Sequence, residues 1–497
     1  MDVRSLPMFD LSLSLSRRLN RHNQHSGTLI GAQPPRGQQT DYNYFNKVNP
    51  RVKSFLEDCQ REMWQVGIAL SVYHNEVAPA QHEISPIFSL TSVAMDQNVV
   101  AMEIMEDVSA RHDIVTLFHE KPFAGLNGSG KHNNWGLNTD SGKNLFAPGS
   151  TEESQTDFFT FTAALARALH VHGDVIRVGV ATAGNDHRLG AQEAPPAIIS
   201  LYPGQNMEDH IRKIVAGGDL HGYSSEGQHV LAGARDVSPI PAGIEDRNRT
   251  APFPFCGNRY EFRAVGSAQN IALPLALLNT AMAESIGVLA DRIEGGENVR
   301  DAVAGMYEEH MPVIFSGDGY SDAWPVEAEK RGLLNLKNTV DAVETFNSDK
   351  NQKLFESQKV FKSQELAGRQ ETMFEQYTNA LTIEASTLID MVQTGVIPAC
   401  AEDLAGYSSA PTLAGNREGV YSGVASKVTE LQNALDKLPA DDDAGVQARY
   451  CADVIKPLME ELREYCDESE GLIKSEFYPF PRYKDMLFAH HSEEPRA

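Results

Sequence analysis

The sequence has few cysteines that could form disulfide bonds or bind a metal, because its 497 residues include only five. They are Cys59, Cys256, Cys400, Cys451 and Cys466. Their number is odd, and none has the close C-x-x-C spacing of a zinc site. The pattern excludes a disulfide framework and predicts reduced thiols, which are typical of a cytosol-like compartment.

Long apolar runs and excess positive charge are also missing. No run of 18 or more apolar residues is present, so the sequence predicts no membrane span. Lys and Arg number 43 against 68 Asp and Glu, and the net charge of -25 disfavours nucleic acid or an anionic membrane as a partner. The opening residues lack an apolar core long enough for secretion. We expect a cytoplasmic protein, with an organelle transit peptide as the alternative.

The remaining composition is that of a folded protein, with 41% hydrophobic and 22% charged residues. Up to about residue 295, β-rich runs alternate irregularly with helices, which predicts an α+β region. Beyond it, helical periods dominate and predict an antiparallel bundle. The predicted units are an atypical segment at 1–27, the α+β domain at 28–335, a helical domain at 336–475 and an extended tail at 476–497.

Local patterns place the strands and helices of the α+β region. The helix predictions include 49–66, 94–111, 155–172 and 271–289. The strand predictions are 68–73, 83–88, 114–118, 175–181, 197–202 and 260–265.

Two glutamates stand around a Pro-Ala turn. A strand-turn-strand structure can bring the carboxylates of Glu76 and Glu83 to one spot. A divalent cation that bridges phosphates needs hard oxygen ligands of this kind. The alternative is two surface glutamates near a turn.

The segment Asn127-Gly-Ser-Gly-Lys-His132 is a glycine-rich loop that ends on a histidine. Glycines let backbone N–H groups approach an anion, and an imidazole can serve a metal or a phosphate. The loop is not a P-loop, because no Gly-Lys-Ser/Thr opens a helix. The alternative is a tight turn with a structural histidine.

Four arginines and one acid lie close together in the sequence: Arg247, Arg249, Arg259, Glu261 and Arg263. The planar fork of arginine suits a bidentate grip on carboxylate or phosphate. On a pleated strand, the carboxylate at 261 and the guanidinium at 263 share one face. The alternative is a solvated charged strand with an internal Arg–Glu pair.

A further charged pair flanks a Gly-Ala turn. Arg188 and Glu193 stand in an otherwise apolar stretch, Arg-Leu-Gly-Ala-Gln-Glu-Ala-Pro. The pattern predicts a flap over a site. The alternative is an ordinary loop ion pair.

These motifs, in this order, resemble those of the glutamine synthetase family. The shared text is E-V-A-P-A-Q-H-E at 76–83, N-G-S-G-K-H at 127–132, R-L-G-A-Q-E-A-P at 188–195, N-R at 248–249 and E-F-R at 261–263. The stretches at 120–135, 185–190, 246–253 and 315–321 are similar to the long type III branch. The resemblance covers roughly residues 28 to 488 and implies that 28–335 is a catalytic domain built on a curved antiparallel sheet framed by helices.

The resemblance implies ligation of ammonia to L-glutamate at the expense of ATP, through γ-glutamyl phosphate. Mg²⁺ or Mn²⁺ is the implied cofactor, with Glu76 and Glu83 holding one ion and His132 and Glu261 holding the second. The other implied roles are amino-acid binding by Asn127 and Gly128, a grip on the glutamate carboxylate by Arg188, charge stabilisation by Arg249 and Arg263, nucleotide contacts by Arg247 and Arg259, and closure with proton removal by Glu193.

The family also has an E-x-E metal-binding pair after an N-terminal β-grasp domain that helps bind ammonium in a neighbouring subunit. The opening Pro7-Met-Phe-Asp-Leu-Ser contains no E-x-E. We expect weak Mg-ATP binding and low glutamine formation, since a divalent site depends on its charge count. Homo-oligomeric rings are implied by the family, but the β-grasp domain supplies much of the ring contact. The alternatives are a truncated Mg-ATP-binding relative with little or no activity, and a related ligase or guanidino kinase acting on another acceptor.

Overall fold

The protein is an α+β region followed by a helical region, as the sequence predicts. The computed structural model describes residues 2–7, 42–45, 47–78, 80–123, 125–191, 194–224, 226–230, 240–243, 249–440 and 443–482. Its strands are β1 Asp2–Pro7, β2 Leu70–Asn75, β3 Gln81–Pro86, β4 Ile114–Leu117, β5 Asn133–Trp135, β6 Leu201–Tyr202, β7 Glu226–Val230, β8 Ile240–Gly243, β9 Phe253–Pro254 and β10 Tyr260–Phe262.

The helices of the α+β region carry most of its mass. They are α1 Tyr42–Phe45, α2 Pro50–Gln65, α3 Thr91–Arg111, α4 Glu152–Val171, α5 Gly173–Gly179, α6 Ala183–Asp186, α7 Gln205–Val215, α8 Ala272–Glu294, α9 Val299–His310 and α10 Ala323–Lys330. The helical region comprises α11 Thr339–Glu344, α12 Asp349–Ser357, α13 Ser363–Met391, α14 Ile397–Ala405, α15 Arg417–Leu435, α16 Ala444–Tyr450 and α17 Lys456–Leu472.

The largest sheet has four antiparallel strands in the order β2-β3-β1-β4. Its inner face packs against α2 and α3 around Phe55, Met105 and Ile114. A second antiparallel pair, β10-β5, sets Glu261 opposite Asn134. The pair β6-β9 is parallel. In the described part of the chain the strands therefore form several small sheets, which the helices frame.

The strand predicted at 175–181 is wrong. Residues Gly173–Gly179 form the short helix α5, whose last six residues are all buried. The run Val-Ile-Arg-Val favours a strand by propensity, but a helix buried on all sides is equally apolar and equally rich in such residues. Gly179 lets α5 approach α8, because a Cβ there would lie 3.0 Å from the Cα of Pro274. Tertiary packing has overridden the local preference.

Helix α8 lies in the centre of the α+β region and packs against α4 and α5. Leu277, Leu278 and Ala281 on this helix are fully buried. In the described residues it is the one helix long and apolar enough to cross a membrane by length and composition, and half of its most apolar window is inside the protein. Such burial is typical of a core helix.

The helical region has its own apolar core, built from α13, α15, α16 and α17. A second, smaller cluster joins it to the α+β region through Val175 and Leu277 on one side and Phe346 and Phe355 on the other. The residues that follow α17 run back over the bundle, and Phe480 packs against Gly395. The two regions share one continuous packed body.

Candidate active site

The two glutamates of the first motif lie together at the end of the β2-β3 hairpin. Glu76 follows β2 directly and is buried, while Glu83 lies in β3 opposite His74. The predicted strand-turn-strand geometry therefore occurs. One nitrogen of His74 and one oxygen of each carboxylate all lie within 4.8 Å of one another. His74 was missed, although a residue two positions before Glu76 on a strand lies on the same face.

Gln81 connects this hairpin to the glycine-rich loop. Its side chain is fully buried, and its amide nitrogen donates to the carbonyl of Gly128 at 3.0 Å and to the Ser129 hydroxyl at 3.1 Å. Its amide oxygen accepts from the backbone N–H of Ala78 at 3.2 Å. One glutamine side chain thus holds the two motifs against each other. Sequence reasoning did not single it out, because an inward-facing amide looks like any other polar residue in a turn.

Backbone hydrogen bonds fix the course of the loop itself. The N–H of Ser129 donates to the carbonyl of Glu120 at 2.8 Å, and that of Lys131 donates to the carbonyl of Val265 at 2.9 Å. Gly130 must lack a side chain, since a Cβ there would lie 2.6 Å from Cζ of Arg188 and 2.8 Å from Nε2 of His132. The glycine is therefore required by a close approach of two functional side chains.

His132 faces the acid and the arginine of β10. Its Nδ1 lies 3.9 Å from a carboxylate oxygen of Glu261, whose other oxygen accepts from Nη1 of Arg263 at 3.0 Å. Burial, followed by the charges of Arg263 and Arg188, lowers the pKa of His132 well below its usual range. The ring is therefore neutral at pH 7, which is the form that binds a cation.

Arg188 is buried under this cluster and is fully enclosed. Its guanidinium donates to the carbonyls of Arg263 at 2.9 Å and of Ala264 at 3.3 Å, and lies 3.3 Å from Nε2 of His132. In this structure the arginine therefore clamps the end of β10 and orients His132. Its predicted contact with a substrate carboxylate stays a prediction.

The remaining predicted residues fall into two groups. Asn127 is half-buried at the start of the loop, beside Gly128. Arg249 is exposed, with its guanidinium 5.8 Å from the ring centre of Tyr44, and Arg259 is half-buried and donates to Asn134 at 2.7 Å. The predicted site residues Glu193 and Arg247 lie outside the described residues.

Glu120 and Lys131 are buried charged residues that sequence reasoning missed. A Cβ at either Gly184 or Gly266 would overlap the carboxylate of Glu120, which also accepts from the N–H of Ala268 at 3.0 Å. Burial raises the pKa of Glu120 and lowers that of Lys131 to about 8. Both residues lie within the stretch 120–135. Whether a charged side chain is buried depends on the groups that contact it in the folded protein, which its neighbours in the sequence do not reveal.

The donor sets fit divalent cations. Carboxylate oxygens are ligands for Mg²⁺ and Mn²⁺, and an imidazole nitrogen can complete the set for a transition-metal ion. The first set is His74, Glu76 and Glu83, and the second is His132 with Glu261. Beside the second set, Nε of Arg263 is buried and donates to no acceptor in the described part of the chain. An oxyanion is the group that would satisfy this donor.

Comparison with known proteins identifies the family. A family model described as the glutamine synthetase catalytic domain matches residues 15–218, and one described as the glutamine synthetase C-terminal domain matches 298–406. The sequence is 39% identical to a type-3 glutamine synthetase of Dictyostelium discoideum over 93% of this chain and 66% of that protein. It is 35% identical to a glutamine synthetase of Butyrivibrio fibrisolvens over 93% of this chain and 69% of that protein. The chain belongs to the glutamine synthetase family.

Membership in this family confirms the predicted resemblance and the predicted α+β class with a C-terminal helical region.

The chain spans about two thirds of the length of these relatives. Among solved structures, ligand-free GmaS superposes with a TM-score of 0.38 at 19% identity, covering 67% of this chain and 66% of that chain. A glutamine synthetase of Plasmodium falciparum gives 0.39 at 16% identity, covering 58% and 50%. Glutamine synthetases use ATP and a divalent metal, and the described donor sets have the matching chemistry.

Proposed function

We propose that this protein forms L-glutamine from L-glutamate, ammonia and ATP. The observation that carries the proposal is the single cluster made by the β2-β3 hairpin, the glycine-rich loop and β10. Gln81 joins the hairpin to the loop, and Arg188 joins the loop to β10. Four motifs that are distant in sequence, at 76–83, 127–132, 188 and 261–263, thereby supply carboxylates, an imidazole and arginines to one place.

Glu76 and Glu83 would hold one divalent cation, and His132 with Glu261 would hold a second. When bound, such cations neutralise phosphate charge and orient a phosphoryl group for in-line transfer. The low pKa of His132 keeps its ring uncharged for this purpose. Because Arg188 contacts His132 and is fully buried, the ring has a fixed orientation.

Arg263 would act on the transferring group directly. Its Nη1 donates to Glu261, and its Nε–H is buried with no acceptor in the described residues. A preorganised guanidinium stabilises charge that develops in the transition state without reorganising. Phosphorylation of the glutamate side chain followed by attack of ammonia would release phosphate. Closure by Glu193 over the site would exclude water from the acyl phosphate and remove a proton from ammonium.

The test is glutamine formation by the purified protein with ATP, glutamate and ammonia, in Mg²⁺ and in Mn²⁺. Replacing Glu261 by Gln removes one charged ligand, so we expect turnover to fall roughly 100-fold, on the order of 3 kcal/mol of transition-state stabilisation. Glu329→Gln, at an exposed position on α10, is the matched control and should leave turnover unchanged.

Other results would favour the alternatives. Tight Mg-ATP binding without turnover, with ammonia or with hydroxylamine as acceptor, would indicate a binding relative. Faster reaction with another amine in a panel would indicate a related ligase. Loss of turnover in the Glu329 control as severe as in Glu261→Gln would show that the effect is not specific to the site.

A further inference from the structure

His74 lies beside Glu76 and Glu83, close enough to bind the cation that these two carboxylates would hold. It lies on β2 opposite Glu83, with its Nε2 at 3.7 Å from a carboxylate oxygen of Glu83 and its Nδ1 at 4.0 Å from one of Glu76. Metal–nitrogen and metal–oxygen bonds of about 2.0 to 2.6 Å require ligand atoms no more than about 5 Å apart. The three side chains already satisfy this limit.

The tautomer of His74 is set by a hydrogen bond to the backbone. Its Nδ1 lies 2.8 Å from the carbonyl oxygen of Asn75, which can only accept, so Nδ1 carries the proton. With the proton on Nδ1, the lone pair that a cation can use is on Nε2, which faces Glu83. Metal-bound histidines commonly donate their other ring N–H to a backbone carbonyl in this way.

Packing limits the rotation of the ring. The ring of Tyr44 meets it edge-on, at 5.5 Å between centroids and an interplanar angle of 63°. The side chain of His74 is about one-third exposed, so a hydrated ion can reach it. The imidazole is therefore oriented and accessible.

We infer that Nε2 of His74 is a third protein ligand of the divalent cation held by Glu76 and Glu83, and that this site prefers Mn²⁺ to Mg²⁺. Mn²⁺ is a transition metal and accepts an imidazole nitrogen among oxygen ligands more readily than Mg²⁺, which dehydrates reluctantly and prefers oxygen ligands alone. The inference rests on the cation site of the proposed function, but its test needs neither ATP nor glutamate.

The test is electron spin echo spectroscopy of the Mn²⁺-loaded protein, because nitrogen-14 of a coordinated imidazole modulates the echo. His132 is the other imidazole expected at a cation, so the variant His132→Gln isolates His74. We expect the His132→Gln protein to retain imidazole modulation and the double variant with His74→Gln to lose it. An echo without imidazole modulation in the His132→Gln protein would overturn the inference, and this result does not depend on the folding of any His74 variant.

Cation affinity gives a second measure, by calorimetric titration of the metal alone. His74→Gln should weaken Mn²⁺ binding by about 10- to 100-fold and Mg²⁺ binding by less. His221→Gln, in a half-buried position bonded to Thr156 at 3.1 Å, is the matched control and should match the wild type. Equal losses for Mn²⁺ and Mg²⁺ would remove the proposed preference. Imidazole-coordinated Mn²⁺ in a protein that forms no glutamine would leave this inference standing and refute the proposed function.

Discussion

The site region and the helical region bury polar groups in different ways. Around the site, Glu120, Lys131, Arg188, Glu261 and Arg263 are all buried within a few contacts of one another. The helical region has a largely aliphatic core, and its one buried carboxylate in the described residues is Asp403. Burial of a charge without compensation is costly. We therefore expect the chemistry at the cluster of buried charges around the loop and β10, and we expect the bundle to contribute mainly stability.

Asp403 is the strongest test of that contrast, because it holds the bundle together through three bonds. Its carboxylate accepts from Arg417 at 2.9 Å, from the Tyr421 hydroxyl at 2.8 Å and from the N–H of Lys474 at 2.9 Å. Asp403→Ala removes the partner of the half-buried Arg417 guanidinium and leaves the buried Tyr421 hydroxyl without this acceptor, so we expect a loss of about 3 to 5 kcal/mol in the free energy of unfolding. Urea denaturation followed by circular dichroism measures it.

The control for this prediction is Asp390→Ala, at an exposed position on α13. It should change the unfolding free energy by less than about 0.5 kcal/mol. Mn²⁺ binding by the Asp403 variant, measured well below its melting temperature, should equal that of the wild type. A weakened cation site in that variant would contradict the separation of stability from chemistry.

The same substitution should have opposite effects in the two regions. Gly130→Ala would drive a methyl group into Arg188 and His132, and we expect it to destabilise the protein by about 1 to 3 kcal/mol. Gly368→Ala, at an exposed position of α13 with open space around it, should stabilise by about 0.5 to 1 kcal/mol. Urea midpoints of both variants give the comparison. An unchanged midpoint for Gly130→Ala would mean that the loop is not closely packed.

A smaller effect on stability is expected from a fall in pH, at a pair of histidines away from the site, of which His310 is buried and His170 half-buried. Nδ1 of His170 lies 2.9 Å from Nδ1 of His310, with Arg167, Arg292 and Glu309 around them. Burial, then the charge of His170 and of Arg167, lowers the pKa of His310 to about 4. The folded state therefore disfavours the charged ring.

The direction in which stability changes with pH follows from the protons that each state binds. Between about pH 6.5 and pH 4 the unfolded state binds more protons at His310 than the folded state, so stability is lost as the pH falls through this window. We expect the contribution to be about 1 to 2 kcal/mol between pH 7 and pH 5. Unfolding free energies of the wild type and of His310→Gln at both pH values isolate it. Identical pH slopes for the two proteins would show that His310 does not titrate as stated.

Much of the helical region could be predicted from its sequence. Apolar residues at helical spacing place α13 and α15, and a capping residue such as Asn338 starts α11, because these signals act within a few residues. The same signals are ambiguous for a short apolar run. The run 175–181 was therefore assigned to a strand, whereas packing against α8 makes Gly173–Gly179 a helix.

The sequence by itself determined the family and the residue types of the site, since the motifs at 76–83, 127–132 and 261–263 name their carboxylates, imidazole and guanidinium. Only the tertiary structure decided how these groups meet. Gln81 joins the hairpin to the loop, His74 turns Nε2 toward Glu83, and Arg188 becomes a buried clamp. The physical reason is that a side chain's orientation, burial and pKa depend on partners brought close by folding, and these partners are distant along the chain.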